Sequence, residues 1–260
     1  MAVPANMFVR MDLATLQSEL ERLALESGTI ARATRSELHR DLKADGSLVT
    51  AADKRIELML SDELNRLMPD VSFWGEEGGF QERGTEGVWL IDPIDGTSNY
   101  AFGSPLWGIS IALVQGGEIV AGAIHLPDLQ ELYSFHHQGP AIRNGMPLLP
   151  IRPGPIEPWE LVSYSDLTLL EFGKQLPGKM RYCGAFVVEA AYVFRQCFRG
   201  LISHKANLYD AAASIGIAKA LGAEIRYLDG DPFYVDPLIE ARRIPKPFVI
   251  FPAGEGTILP

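Results

Sequence analysis

The stretch WLIDPIDGTSNY, residues 89 to 100, constrains this chain more than any other. Its first half is an apolar run of strand length, and its second half spends two aspartates, a proline and a glycine within five residues. Like charges so placed repel each other and cost stability unless a cation compensates. A second acidic group repeats the pattern upstream, where VSFWGEEGG sets Glu76 and Glu77 behind another apolar run. If the two strands are neighbours, both acidic turns open at one sheet edge and four carboxylates, with Asp92 and Asp95, share a crevice. Carboxylate and backbone oxygens are the donors Mg²⁺ takes, and Pro93 and Gly96 tighten the turn so that the Ile94 carbonyl can face the same space. Taken singly, Asp-Pro, Asp-Gly and Glu-Glu-Gly-Gly are ordinary turn sequences. Taken together, a metal centre and a pair of solvated turns are equally good readings.

The residues that follow, Gly96, Thr97, Ser98 and Asn99, offer unencumbered N–H groups and hydroxyls that suit a phosphate beside a metal. Asp53 and Asp210 each fall where a helix should begin. Thr50 is the expected N-cap with Asp53 in the first turn, and Asp210 is itself a good N-cap, so capping accounts for both without function. His136 and His137 are adjacent on a strand and point to opposite faces, which favours a structural role over ligation of one metal.

Amphipathic helices are expected over residues 12 to 31, with Leu13, Leu16, Leu20 and Leu23 on one face, and over 50 to 68, with Ile56, Met59, Leu60, Leu64 and Leu67. Residues 106 to 138 read as an antiparallel meander with a hairpin at Gly116-Gly117. The proline-rich segment 147 to 159 is the natural joint, dividing an N-terminal α+β lobe, 1–150, which carries the meander and most acidic candidates, from a C-terminal α/β lobe, 151–260, in one compact unit. In the second lobe AFVVEAAYVFRQCFRGL (185 to 201) and YDAAASIGIAKALGA (209 to 223) read as helices, and EIRYLDG and PFVIF as strands. Helices and antiparallel strands in separate blocks indicate an α+β layered fold.

With 260 residues, 47% of them hydrophobic, the chain can bury a sizeable core. Its formal charge of -10 without a basic cluster argues against direct nucleic-acid binding. No apolar run reaches the roughly 20 residues of a membrane span, and the start MAVPANMFVRMD lacks a signal-peptide core, so the expectation is a cytoplasmic protein with no membrane partner. Cys183 and Cys197 read as buried free thiols. Nucleophile elbow, P-loop and dinucleotide fingerprint are all missing.

WLIDPIDGTSNY resembles the signature of the inositol monophosphatase family of Mg²⁺-dependent phosphatases. LVTAAD (48 to 53), WGEEGG (74 to 79) and LYDAAASIGIAKALGA (208 to 223) resemble its other motifs in the same order, and with GPAIRNGMPL the resemblance spans essentially the whole chain. It implies an αβαβα sugar-phosphatase fold, a homodimer, and two or three Mg²⁺ ions per active site. Glu76, Asp92 and the Ile94 carbonyl would hold one ion, and Asp92, Asp95 and Asp210 a second. Asp53 would hydrogen-bond Thr97, which with Glu76 orients the attacking water, while Gly96 and Thr97 supply amides to the phosphate. The substrate would be a small inositol, sugar or polyol phosphomonoester. Alternatives within the class are fructose-1,6-bisphosphatase, histidinol-phosphate phosphatase and 3'-phosphoadenosine-5'-phosphate phosphatase; a regulatory protein binding a macromolecule through the same fold is the alternative of another class. Substrate contacts are expected from Asp95, Gly184, Ala185 and Ser203. Two departures bear on specificity. Ser203 stands where inositol-specific members carry a hydroxyl-binding glutamate, and Phe186 replaces a small residue after Gly184-Ala185.

Overall fold

The structure, a computed structural model, describes residues 11–35, 40–42, 48–204 and 206–256. Helical spacing of leucines produces the first layer. Helix α1 (Leu13–Thr34) starts at Asp12, whose carboxylate accepts the Thr15 amide, and buries Leu16, Leu20 and Leu23. A short hairpin, β1 (Arg40–Leu42) and β2 (Leu48–Thr50), leads into α2 (Ala51–Leu67), which buries Ile56, Leu60 and Leu64. Leu13, Met59 and Leu67 are partly buried at the margin of the same cluster.

The first sheet then forms from β3 (Ser72–Gly75), β4 (Gly79–Gln81) and β5 (Val88–Asp95). The short helix α3 (Thr97–Ala101) follows, and then β6 (Gly108–Gln115), β7 (Glu118–Leu126), β8 (Glu131–His136), β9 (Ile142–Arg143) and β10 (Met146–Pro147). The eight strands run in the order β10-β9-β8-β7-β6-β5-β3-β4, and β6, β7 and β8 form the meander anticipated from their alternation and the glycine pair. Strands β6 and β7 are buried almost throughout because helices cover both faces, which explains their near-continuous apolar runs.

No regular element spans residues 148–160. Beyond it lie β11 (Leu161–Ser163), α4 (Asp166–Phe172), β12 (Lys179–Arg181), α5 (Phe186–Phe194), β13 (Gly200–Ser203), α6 (Leu208–Ala220), β14 (Ala223–Tyr227), α7 (Asp236–Ala241) and β15 (Phe248–Pro252). The second sheet runs β12-β11-β13-β15-β14. Helices α1 and α2 pack on one face of the large sheet, α5 and α6 fill the space between the sheets, and Phe172 of α4 lies against a small cluster on the outer side of the second sheet. This is the layered α+β arrangement expected.

One helix is shorter than its pattern. The apolar period over 185 to 201 predicts a single helix, but α5 ends at Phe194, Gln196 takes φ +57°, and Gly200 begins β13. The buried Arg199 guanidinium donates to the carbonyls of Arg152, Pro153 and Gly154, tying this corner to the proline-rich segment. Tertiary demand for an inner strand outweighs the local period. Among the described residues no helix is long and apolar enough to cross a membrane.

Candidate active site

Strands β3 and β5 are parallel neighbours with Gly75 opposite Ile91, so their carboxyl ends open on one side. The Glu76 amide donates to the Ile91 carbonyl at 3.2 Å, extending that ladder and setting Glu76 beside Asp92. The aspartate pair is not a turn behind the strand, as the sequence suggests, but part of it. Asp92 faces Ser110 of β6 and Asp95 faces Gly108, three residues on β5 against two on β6. Proline cannot donate to a ladder, and the one-residue bulge around Pro93 has a useful result. Alternation would send positions 92 and 95 to opposite faces, whereas the extra residue returns them to the same one. Asp92 Oδ1 accepts the Ile94 amide at 3.0 Å, and Asp95 Oδ2 accepts the Val187 amide at 2.6 Å, tying β5 to the start of α5.

Asp53 and Asp210 reach the site from helix N-termini. Thr50 caps α2 in a capping box, with Asp53 Oδ2 accepting the Thr50 amide at 2.8 Å and its hydroxyl at 2.5 Å. The cap of α6 is Asn207 rather than Asp210, which occupies the third helical position and accepts the Asn207 amide at 2.7 Å. The preceding Tyr209 packs edge-on against Trp74 of β3, with ring centres 5.7 Å apart, and its carbonyl accepts the Ser110 hydroxyl. Thr97 departs from expectation: its hydroxyl donates to the Ile94 carbonyl at 3.0 Å, not to Asp53. Asp53 is committed to its cap, and its Oδ1 is buried without a hydrogen-bond partner among the described residues.

The electrostatics follow from burial and crowding. Asp92 is 2% exposed and its carboxyl lies well above the usual carboxylate range, first through desolvation and then through Glu76, Asp210 and Asp95. Asp210 is raised likewise, by desolvation and then by Asp95 and Glu76. Desolvation lifts Asp95 to about 7 against the lowering effect of the Val187 amide, and lifts Asp53 to about 6 against its bonds to Thr50. Crowded acidic groups with a backbone carbonyl nearby, here Glu76, Asp92, Asp95, Asp210 and Ile94, are oxygen donors of the kind a hard divalent cation takes. Among the described residues no three Asp, Glu, His or Cys side chains stand, as placed, where they could hold one metal ion together.

Beside the acids opens a cavity of about 250 Å³, walled on one side by Asp95 and Asp210 and elsewhere by Gly184, Ala185, Phe186 and Ser203. Gly96 holds φ +82° as the cap of α3, and a Cβ there would press on Ala185 and the Leu106 carbonyl, so glycine permits the close approach of β5 to this loop. Phe186 is 9% exposed; it leans on Phe248 in the core while contributing to the cavity wall. Sequence reasoning missed Ser165, Asp166, Tyr182 and His204 on the same wall, since no local pattern marks them. It also missed two buried glutamates. Glu57 accepts the amides of Glu77 and Gly78, and Glu189 those of Cys183 and Gly184. Glu57 lies four residues after Asp53, on the same helix face, and that spacing was a usable signal.

Other candidates fall outside the site. The His137 ring bonds the Val120 carbonyl at the end of β8, a structural role. Both cysteines are free, but neither is buried as expected: Cys183 is half-buried, and Cys197 is exposed because α5 has ended before it.

The description "Inositol monophosphatase family" matches residues 12–244. A fructose-1,6-bisphosphatase/inositol-1-monophosphatase of Thermotoga maritima is 34% identical over 70% of this chain and 72% of its own length. A histidinol-phosphatase of Chlorobaculum parvum is 38% identical over 41% of each chain. The solved structure of an IMPase from Thermotoga maritima, 25% identical, superimposes with a TM-score of 0.78 over 92% of both chains. A phosphatase-type acidic centre, the layered fold and these likenesses agree: the chain belongs to the inositol monophosphatase family and is a phosphomonoesterase of it.

Proposed function

We propose that this phosphomonoesterase uses Mg²⁺, two or three ions per site, to hydrolyse a small sugar, polyol or related phosphate by direct attack of water. The observation that carries this is the meeting of Glu76, Asp92, Asp95 and Asp210 at one sheet edge beside a cavity of about 250 Å³. Glu76, Asp92, the Ile94 carbonyl, Asp95 and Asp210 would hold the metal, with Asp92 shared. When bound, it supplies Lewis-acid polarisation of the phosphate and lowers the pKa of water, so no protein nucleophile is needed. Glu76 and the Thr97 hydroxyl would orient the attacking water, and the Glu76 carboxylate would accept its proton. Asp53, whose Oδ1 has no hydrogen-bond partner among the described residues, would support this pair from α2. The Gly96 and Thr97 amides hold the phosphate oxygens. The alcohol lies toward Gly184, Ala185 and Ser203, with both lobes completing one site. Ser203 offers a hydroxyl rather than a carboxylate to that alcohol, which favours a substrate other than inositol phosphate.

Phosphate release with Mg²⁺ tests the reading on inositol-1-phosphate, fructose-1,6-bisphosphate, histidinol phosphate, 3'-phosphoadenosine-5'-phosphate and 2'-AMP. Turnover of at least one, lost in Asp92→Asn, is expected; no turnover of any, or an active Asp92→Asn, overturns it. A cytoplasmic homodimer is part of the proposal, and a monomer in sedimentation equilibrium removes the dimer from it.

A further inference from the structure

Glu57 is a buried carboxylate in a place that already holds too much negative charge. It sits one helical turn beyond Asp53 on α2, is 5% exposed, and points at the turn between β3 and β4. Its Oε2 accepts the Glu77 amide at 2.8 Å and its Oε1 the Gly78 amide at 2.5 Å. The two glycines around that turn make room for it: a Cβ on Gly75 would overlap the Glu57 carboxylate, and one on Gly78 would lie 2.8 Å from Oε1. A carboxylate buried beside Glu76 and Glu77 loses hydration and meets like charge, so a fold with no use for it would place a neutral residue there. What the anion can do that a neutral side chain cannot is accept two adjacent amides at once and so hold the backbone on the far side of Glu76.

We propose that Glu57 is a positioning residue: by clamping the Glu77 and Gly78 amides it holds the Glu76 carboxylate in register with Asp92, and so sets the affinity of the site for its divalent cation. This rests on the reading of Glu76 and Asp92 as metal ligands. The clamp fixes Glu76 from behind while the Ile91 carbonyl fixes it from the strand side, leaving the backbone of the ligand no freedom to swing away from β5. Partners of this kind outside the ligand set characteristically govern affinity about ten- to a hundredfold without touching the metal.

The test is Glu57→Gln. The glutamine keeps the volume, but its amide group faces one backbone N–H donor to donor, so half the clamp is lost. Metal binding is read without substrate, by titration calorimetry with Mn²⁺ and by the Mg²⁺-induced rise in Tm, alongside kcat at saturating Mg²⁺. The expected result is a metal Kd weaker by about tenfold with kcat at saturation changed less than about threefold. Gly78→Ala leaves every charge in place and pushes the carboxylate off its amides; it should weaken the metal by about threefold in the same direction, and it serves if Glu57→Gln does not fold. A lower Tm with metal Kd within twofold of wild type in the folded variant overturns the proposal and leaves Glu57 a structural residue. Wild-type protein that binds neither Mn²⁺ nor Mg²⁺ sinks the metal reading itself, a different outcome from equal binding by wild type and variant.

Discussion

The site has two walls built by opposite means, the acidic cluster and the far side of the cavity that opens beside it. On one side, Asp92 lies in the interior of an eight-stranded sheet, and Asp53 and Glu57 lie on a helix buried against it. Asp92 and Asp53 are fixed by backbone amides two and three residues away, and Glu57 by amides of the turn between β3 and β4. On the other side, Ser165, Asp166, Tyr182, Gly184 and His204 stand on loops and element ends around the second sheet, with Tyr182 61% exposed. Positions buried in a sheet cannot move without disturbing their neighbours, whereas loop ends accept new side chains at little cost. On the proposed mechanism, bond cleavage belongs to the first wall and choice of alcohol to the second.

The sharpest way to break that division is Asp92→Asn. Removing the shared carboxylate of the charge centre should lower kcat/KM by about 10³-fold or more for every accepted phosphate ester. A loss confined to one substrate would mean that Asp92 recognises the alcohol and that the walls do not divide the work. Thr97→Ala should follow at about 10²-fold, since the hydroxyl proposed to orient the water goes while the fold keeps its α3 corner through Gly96 and Asn99, whose side-chain amide donates to the Leu106 and Cys183 carbonyls. Steady-state kinetics on two substrates checks both.

The first wall was largely legible in the sequence and the second was not, for a physical reason. Strand periodicity, a glycine pair and acidic residues behind apolar runs are local signals, and they located β3, β5, the meander and Glu76, Asp92 and Asp95. The pairing of β3 with β5 converted them into one cluster. By contrast Tyr182 and His204 belong to no pattern, because what brings them together is the second sheet, whose β12 and β13 flank β11 from either side. The same holds for α5, whose helical period continues into residues that tertiary contacts recruit for β13. Glu189 was hidden because its partners are backbone amides, which leave no mark on side-chain spacing, whereas Glu57 was marked by its four-residue offset from Asp53. Even on the first wall, the bulge that turns Asp92 and Asp95 to one face was not readable, although Pro93 is its cause.

If the second wall selects the alcohol, Ser203→Glu should change preference rather than chemistry. A carboxylate that can accept ring hydroxyls should raise the ratio of kcat/KM for inositol-1-phosphate over the other esters by about tenfold, through a lower KM with kcat nearly constant. An equal loss of kcat on all substrates would show that this position reaches the reacting atoms, and the contrast between the walls would fail.

The smallest effect is also the most specific to the first wall. Without metal, Asp95 titrates at about 7 and Asp53 at about 6, both raised chiefly by burial, against ordinary values near 4 in the unfolded chain. Between those limits the folded protein binds more protons than the unfolded one, so stability must fall as pH rises and recover as pH is lowered. For these groups the gain is complete only below about pH 4, and it disappears as pH climbs through 6 and 7. The metal-free Tm should therefore rise by several degrees from pH 8 to pH 5.5, the reverse of what salt-bridged carboxylates produce. Saturating Mg²⁺ should flatten or invert the slope, because the cation and the protons compete for the same oxygens. Asp53→Asn should reduce the metal-free slope, whereas Ser203→Ala on the facing wall should leave it unchanged. Scanning calorimetry of the three proteins across that range checks the prediction. A metal-free Tm that rises with pH would mean the carboxylates of the first wall are not held in the crowded, dehydrated state on which the assignment of bond cleavage to that wall depends.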